Sequence, residues 1–391
     1  MEKVNDIVEI KVSKMKTKLK IMGVFLEYDL GSKTNDSFWK TECEPTLKKL
    51  SSKYQSFYYD DYLDDLDKLE VDLICAANKF RPDIIFFMIK DEFSFRLLDY
   101  LKEICKTVNI SYDDQWRFDS FTKYIASHFS YLVSSDNLSG EKLEKLGLKN
   151  NVLTHIILKR DIRTKYDKDI KYKYNVSFIG GKSEPRQKLI NFLKNNGIKV
   201  NCFGAGWDNG RISNDEMDDI IYKSKINLNT SNSLNNNLRF IIQYNALKLI
   251  HSNIITGYIF GKLYLLLNCI LREYHNDGQR EYFNKNIHTT RSFFKLRTAL
   301  KMNEQAKTRH LEIPSQCGFQ LSFYDQNVEY FFEDKKEIAM YKDWDDLVKK
   351  IKYYLDHDKE REKIKLNAYK KVVNQYQNKI VFNDIITRVM K

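Results

Sequence analysis

The chain has 391 residues, 42% of them hydrophobic and 14% aromatic, with a formal net charge of +12. That length predicts two domains, and that apolar content is ample for two cores. The lysines are dispersed and interleaved with Asp and Glu, the pattern of solvated helix faces, so no nucleic-acid partner is expected. Six cysteines (Cys43, Cys75, Cys105, Cys202, Cys269, Cys317) show no C-x-x-C spacing, and most sit in apolar runs. A reducing, cytoplasmic setting with buried thiols is therefore expected rather than disulfides or zinc. The amino terminus is highly charged and shows no signal-peptide core before Leu19.

Lys18 to Phe25 (KLKIMGVF) predicts a first strand, and Glu27 to Ser37 a polar loop containing Gly31. Helical patterns cover Phe38 to Leu50 and Tyr62 to Phe80. Asp83 to Met88 (DIIFFM) predicts a buried strand, and Phe95, Leu97, Leu98, Leu101 and Ile104 the apolar side of a helix. Such βαβα alternation predicts a parallel sheet with covering helices. The stretch Asn109 to Phe118 (NISYDDQWRF) reads as a loop. Its Asp114 is either a functional carboxylate after a strand end or a helix cap paired with Arg117. Phe129 to Ser134 is a strand, Ser139 caps a helix ending at Gly147, and Val152 to Leu158 returns as a strand.

Lys159 to Lys173 is charged with little apolar periodicity and reads as the inter-domain linker. A second βα unit follows. Asn175 to Ile179 is a strand leading to Gly180, Gly181 and Lys182. Ser183 can cap a helix with Pro185 in its first turn, where proline is well tolerated. Ile198 to Phe203 is a strand ending at Gly204, Ala205 and Gly206. Glycines after a strand let backbone amides approach phosphate. Met217 to Ser224 is a helix and Lys225 to Leu228 a strand, with Asn229 opening a polar loop at its carboxyl end.

Leu234 to Glu304 carries 10 basic and 4 acidic residues, hence +6 of the +12, and its centre, Ile254 to Leu271, is mostly apolar. It reads as a buried helix pair, as a segment lying on an anionic membrane surface, or as a membrane span, for which the centre's 18 residues with Lys262 mid-run are only just long enough. After it, a helix-compatible run with Arg309, His310 and Glu312 is expected to break at Pro314 and Gly318, and Phe319 to Phe323 to form a strand. Arg309 and Glu312 share a helix face. A carboxylate there suits a ribose diol, although an ion pair between the two explains the spacing equally well. Asp343 caps a helix whose apolar side is Trp344, Leu347, Val348, Ile351, Tyr354 and Leu355, and two further helical segments reach Lys391. Asp356-His357-Asp358 mimics a metal-binding D-x-D but sits at a helix end and reads as solvated surface.

The run Arg309, Glu312, Ile313, Pro314, Gly318, Phe319, with Phe332, Lys336, Glu337 and Ile338, then Trp344, Asp346 and Leu347, resembles the carboxyl-terminal signature of CgeB-type, spore-maturation-like glycosyltransferases. FIGGKSEPR and the run Ser224 to Asn229 are similar to segments of the same family. The resemblance implies a GT-B fold: two Rossmann-like, doubly wound domains with a central cleft and a helical insertion in the second. Residues 1–165 would form the acceptor-binding domain. Residues 174–391 would form the nucleotide-sugar-binding domain, with the insertion at 234–304 and C-terminal helices crossing back. It implies donor contacts from Gly180, Gly181, Lys182, Arg186, Gly204, Gly206, Asn229, Arg309, Glu312 and Gly318. Glu312 would hold the ribose, and Lys182, Arg186 and Arg309 the diphosphate. Asp114, Glu304 and Arg309 are the catalytic candidates. Glu304, eight residues before Glu312, matches the spacing of a glutamate pair in broader retaining enzymes, though spacing alone is unspecific.

The expected activity is metal-independent transfer of a sugar, of hexosyltransferase type, from a nucleotide-sugar donor, UDP- or GDP-linked, with no other cofactor. The acceptor is a glycan, a lipid-linked or envelope molecule, or a protein. A GT-B sugar-nucleotide epimerase, a catalytically inactive nucleotide- or sugar-binding module and a membrane-associated structural protein are the alternatives. A homo-oligomer and a peripheral position on the inner face of a membrane remain open.

Overall fold

Short, almost uninterrupted apolar runs in β1 (Lys20–Phe25) and β3 (Ile84–Phe87) are buried on both faces, as strands inside a parallel sheet must be. In the computed structural model the described residues are 18–28, 33, 35–89, 92–158, 161–164, 170–230 and 305–391. The chain falls into two compact units that divide at His155/Ile156 and again at Val381/Phe382.

The first unit holds β1, α1 (Glu44–Leu50), β2 (Lys53–Tyr58), α2 (Leu66–Phe80), β3, α3 (Phe95–Ile104), β4 (Lys106–Ser111), α4 (Asp114–Arg117), α5 (Lys123–Ile125), β5 (Tyr131–Ser134), α6 (Ser139–Lys145) and β6 (Val152–Thr154). Its six strands are all parallel, in the order β2-β1-β3-β4-β5-β6. Aromatic rings fill the layers beside this sheet. Trp39 lies 4.8 Å from Phe25 and 6.2 Å from Phe382, ring centre to ring centre, while Phe87 meets Phe129 at 5.3 Å.

Three sequence expectations are corrected here. β2 was not expected: it is an edge strand with one buried residue in six, Phe57, so its apolar signal is weak. The loop read at Asn109 to Phe118 is mostly ordered structure, since β4 runs to Ser111 and α4 begins at Asp114. The strand read at Val152 to Leu158 stops at Thr154, and Ile156 and Leu158 pack with Leu311, Val328 and Phe331 of the second unit's core.

The second unit holds β7 (Tyr174–Ile179), α7 (Glu184–Asn195), β8 (Asn201–Phe203), α8 (Asn214–Tyr222), β9 (Ser224–Asn229), α9 (Arg309–Ser315), β10 (Gln320–Phe323), α10 (Gln326–Phe331), β11 (Ala339–Tyr341), α11 (Trp344–Asp356) and α12 (Asp358–Gln375). Its strands are again all parallel, in the order β11-β10-β9-β7-β8. Counted from the first strand of each unit, both sheets share one doubly wound order, 2-1-3-4-5, with a sixth strand added in the first. The closing helix, α13 (Asn378–Val389), starts among residues of the second unit and ends among those of the first, where Phe382 packs 5.7 Å from Phe86.

Part of the charged run Lys159–Lys173 is built into the second unit. The Arg163 guanidinium lies 4.0 Å from the centre of the Tyr222 ring, and its carbonyl accepts a 2.7 Å bond from the Tyr369 hydroxyl. Pro314 does not break α9; it lies inside the helix, which ends one residue later. The end is a Schellman turn: Gly318 N–H reaches Ile313 O at 3.0 Å and Cys317 N–H reaches Pro314 O at 2.9 Å. The left-handed position falls on Cys317, with φ at +56°. Gly318 serves close approach instead, because a Cβ there would stand 2.6 Å from Ile221 and 2.9 Å from Asn227. Phe332 to Ile338 form a turn whose Glu333 carbonyl accepts from Lys336, Glu337 and Ile338, and β11 follows it. Asp343 caps α11, accepting from Asp346 N–H at 2.8 Å. Asp356, His357 and Asp358 are exposed. The insertion at 234–304, with Cys269 and Glu304, lies outside the described residues.

Candidate functional site

In an open doubly wound sheet, ligands settle at the carboxyl ends of the strands, where the strand order reverses. In the second unit that point lies between β7 and β9. The Gly180-Gly181-Lys182 turn leaves β7 there, and Asn229 and Thr230 leave β9. Arg186, in the first turn of α7, spans the two: its Nη1 donates to Gly181 O at 2.8 Å and its Nη2 to Thr230 O at 3.1 Å. Lys182 is exposed, with Nζ 5.4 Å from the centre of the Trp207 ring.

The two glycine turns are joined to each other. Gly180 N–H donates to Phe203 O and Lys182 N–H to Ala205 O, both at 2.8 Å, and Gly204 N–H donates to Gly210 O at 2.7 Å. Gly204 has φ at +126°, and a Cβ on it would fall 2.5 Å from Gly180 O, so no other residue fits. Gly206 also has positive φ, at +83°. Gly181, where an added side chain would meet nothing within 4 Å, is the open member of the pair of turns. Ser183 occupies the cap position of α7, but its hydroxyl accepts no helix N–H.

Side chains divide this sheet into two faces. Val176, Ile226, Leu228, Phe319 and Leu321 join the apolar core under α7 and α11. The opposite face is polar and buried: Ser177, Asn227, Asn229, Gln320 and Ser322. Ser177 Oγ donates to Asn227 Oδ1 at 3.2 Å, and Asn227 Nδ2 donates to Ile221 O at 3.0 Å. Asn229 Nδ2 is buried with no hydrogen-bond partner among the described residues.

α9 packs over β9 and β10. Because it leads into β10, it runs against the strands and sets its first residues at their carboxyl edge. His310 Nε2 lies 3.0 Å from Ser322 Oγ, and His310 Nδ1 receives the Lys307 N–H at 3.0 Å. Burial holds this imidazole neutral, its pKa down at about 4. Two residues on, Glu312 is only 2% exposed. Arg309 Nη1 stands 3.0 Å from Glu312 Oε2 and 2.8 Å from Met217 Sδ. The buried carboxylate thus has a charged partner, which offsets the cost of removing it from water. The structure brings Asn229, Arg309 and Glu312 to one end of the sheet, with Gly180 to Arg186 at the neighbouring strand. Gly318 is at the far end of α9. Sequence reading missed His310 and Ser322 as the pair fixing α9; the signal was the polar alternation Gln320, Ser322 within an apolar strand.

Asp114 belongs to the first unit, at the carboxyl end of β4. It is fully buried, and Oδ1 accepts a 2.6 Å bond from Thr122 Oγ1. Oδ2 is buried with no hydrogen-bond partner among the described residues. Burial pushes its pKa up to about 6, against the pull of Thr122. Asp136 is also buried nearby, ion-paired with Lys142. Asp114 is the first helical residue of α4, and Asp113, at φ +68°, precedes it. Among the described residues no group of three or more His, Cys, Asp or Glu side chains is placed to hold a metal, and no helix is long and apolar enough to cross a membrane.

Two sheets of one winding order, with a closing helix shared between the units, can be compared with known folds. Anabaena HepE, solved with UDP and glucose, superposes with a TM-score of 0.55 at 10% identity, covering 95% of this chain and 99% of that one. A Listeria monocytogenes protein, provisionally assigned as a UDP-N-acetylglucosamine 2-epimerase, superposes with a TM-score of 0.52 at 9% identity, covering 95% and 96%. The fold is GT-B. A family model described as glycosyl transferase-like matches residues 251–387. No curated protein matches the sequence. The matched stretch contains α9, β10 and α11, and so Arg309 and Glu312, in the second GT-B unit.

Proposed function

We propose that this protein transfers a sugar, of hexose type, from a nucleotide-sugar donor to a glycan, lipid-linked or protein acceptor, as a CgeB-type GT-B glycosyltransferase. The observation that carries the reading is the buried Glu312 carboxylate, held at 3.0 Å by Arg309, at the ligand-binding edge of the second unit. A carboxylate accepts from both hydroxyls of a ribose, and Arg309 fixes its orientation. Lys182, Arg186 and Arg309 supply positive charge where the leaving diphosphate gains negative charge. Asn229 Nδ2 supplies a donor, and Glu304 is the candidate contact to the transferred sugar. Asp114, with its pKa near 6, has the strength of a general base at neutral pH. The donor is a UDP- or GDP-sugar; HepE, a similar fold, was solved with UDP and with UDP-glucose.

The second reading is sugar-nucleotide epimerisation, favoured by the similarity to the Listeria protein. UDP- and GDP-hexoses incubated with and without an acceptor panel separate the two. Transfer predicts nucleoside diphosphate release that depends on acceptor and persists in chelator. An altered sugar nucleotide formed without acceptor supports epimerisation, and loss of turnover in chelator with rescue by magnesium contradicts the metal-independent reading. The basic, apolar segment 234–304 is the proposed contact to an anionic membrane carrying the acceptor. Equal, negligible sedimentation with anionic and neutral liposomes would discard that contact.

A further inference from the structure

Tyr324 follows β10, and its N–H donates to Tyr341 O at 2.8 Å, so the ladder continues one residue past the strand. Alternation then puts Tyr324 on the polar face with Ser322, while Phe323 points to the apolar side and packs edge-on against Tyr341 at 5.4 Å. Tyr324 stands about 7 Å beyond Ser322, toward the carboxyl edge. The residue is 39% exposed. The hydroxyl is nevertheless fixed, donating to Glu329 Oε2 at 2.9 Å. The result is a flat apolar surface held still at the edge where α9 begins.

The strand order supplies a direction. Tyr324 follows β10, Asn229 ends β9 with Thr230 after it, and β7 leads to Lys182 and Arg186. Across these three strands, about 10 Å, the edge changes from aromatic to polar to basic. A nucleoside diphosphate changes in the same order, from planar base through ribose to charged phosphates. We propose that the Tyr324 ring is the stacking platform for the base of the donor nucleotide. This rests on the nucleotide-sugar reading and adds to it a base-binding residue two strands away from the turn that carries Lys182 and Arg186. Stacking tolerates any base, because each presents a π-face, so the platform contributes affinity more than choice of base.

The test compares Tyr324→Ala with Tyr324→Phe by calorimetric titration of UDP, GDP and inorganic pyrophosphate. Tyr324→Ala is expected to weaken the nucleoside diphosphate about tenfold or more and to leave pyrophosphate unchanged. Tyr324→Phe, which keeps the ring and loses only the bond to Glu329, is expected to stay within about threefold of wild type. Unchanged nucleotide affinity in Tyr324→Ala overturns the platform alone. Equal losses in both variants, or a matching loss for pyrophosphate, also overturn it, because the residue then acts by bracing α10. Wild-type protein that binds neither UDP nor GDP overturns the donor reading together with the platform.

Discussion

The two sheets share a strand order but carry their buried polar groups on different strands. In the first unit β1 and β3 are apolar on both faces and aromatic rings close the layers beside them, while β4 buries Thr107, Asn109 and Ser111 in alternation with Val108 and Ile110. In the second unit β7, β9 and β10 alternate, with one face in the apolar core and the other carrying Ser177, Asn227, Asn229, Gln320 and Ser322. Topology therefore does not decide where the polar groups collect. A sheet face that is buried yet polar must satisfy its groups or reserve them for a ligand. Here Asn227 is satisfied by Ile221 and Phe319, whereas Asn229 Nδ2, at the carboxyl end, and both amide atoms of Gln320, at the start of β10, have no partner among the described residues.

Emptying the aromatic layer of the first unit has the largest expected effect. Phe382 is fully buried between Trp39 and Phe86. Phe382→Ala is expected to cost about 3–5 kcal/mol in denaturant unfolding. A loss below about 1 kcal/mol would show that α13 does not close this layer.

Opposite pH responses sharpen the contrast. His310, in the second unit, has its folded pKa lowered to about 4. Its contribution is complete above the unfolded value near 6.5 and is lost as pH falls from there toward 4, by roughly 3 kcal/mol. Asp114, in the first unit, is raised to about 6. Its sign is reversed: the contribution is present below the unfolded value near 4 and is lost as pH rises through 6, again roughly 3 kcal/mol. Asp114→Asn should therefore be more stable than wild type at pH 7 and lose that advantage below pH 4. His310→Asn should flatten the loss between pH 6.5 and 4. Stability curves of both variants that parallel wild type would reject these assignments.

Gly318→Ala is the smaller test, because its added methyl meets Ile221 and Asn227 at under 3 Å and must displace α9 from β9. About 1–3 kcal/mol of destabilisation is expected, with donor affinity reduced through the shift of α9. An unaffected melting temperature would mean that α9 sits loosely on the sheet.

Most of the alternation was legible in the sequence, because continuous apolar runs such as IIFF admit few readings beside buried strands. β2 was not, since an edge strand with a single buried residue carries little periodicity. Pro314 misleads because proline reads as a stop, yet near the end of so short a helix it removes only one hydrogen bond. In the site, Arg309 and Glu312 could be paired from their spacing, and the Ser224 to Asn229 run gave the strand end. The positions of Arg186 on two carbonyls and of His310 on Ser322 depend on strand neighbours far apart in sequence. No local pattern reports them.

The central claim is that the polar end of the second sheet holds the ribose of a donor nucleotide through Glu312. Calorimetric titration of UDP and GDP into wild type and Glu312→Gln tests it most directly, with a melting curve of each protein as the control for folding. The account predicts saturable binding of one nucleotide by wild type and at least about tenfold weaker binding by Glu312→Gln, which loses a charged hydrogen bond, with both proteins folded. Equal affinity in the two proteins would contradict it.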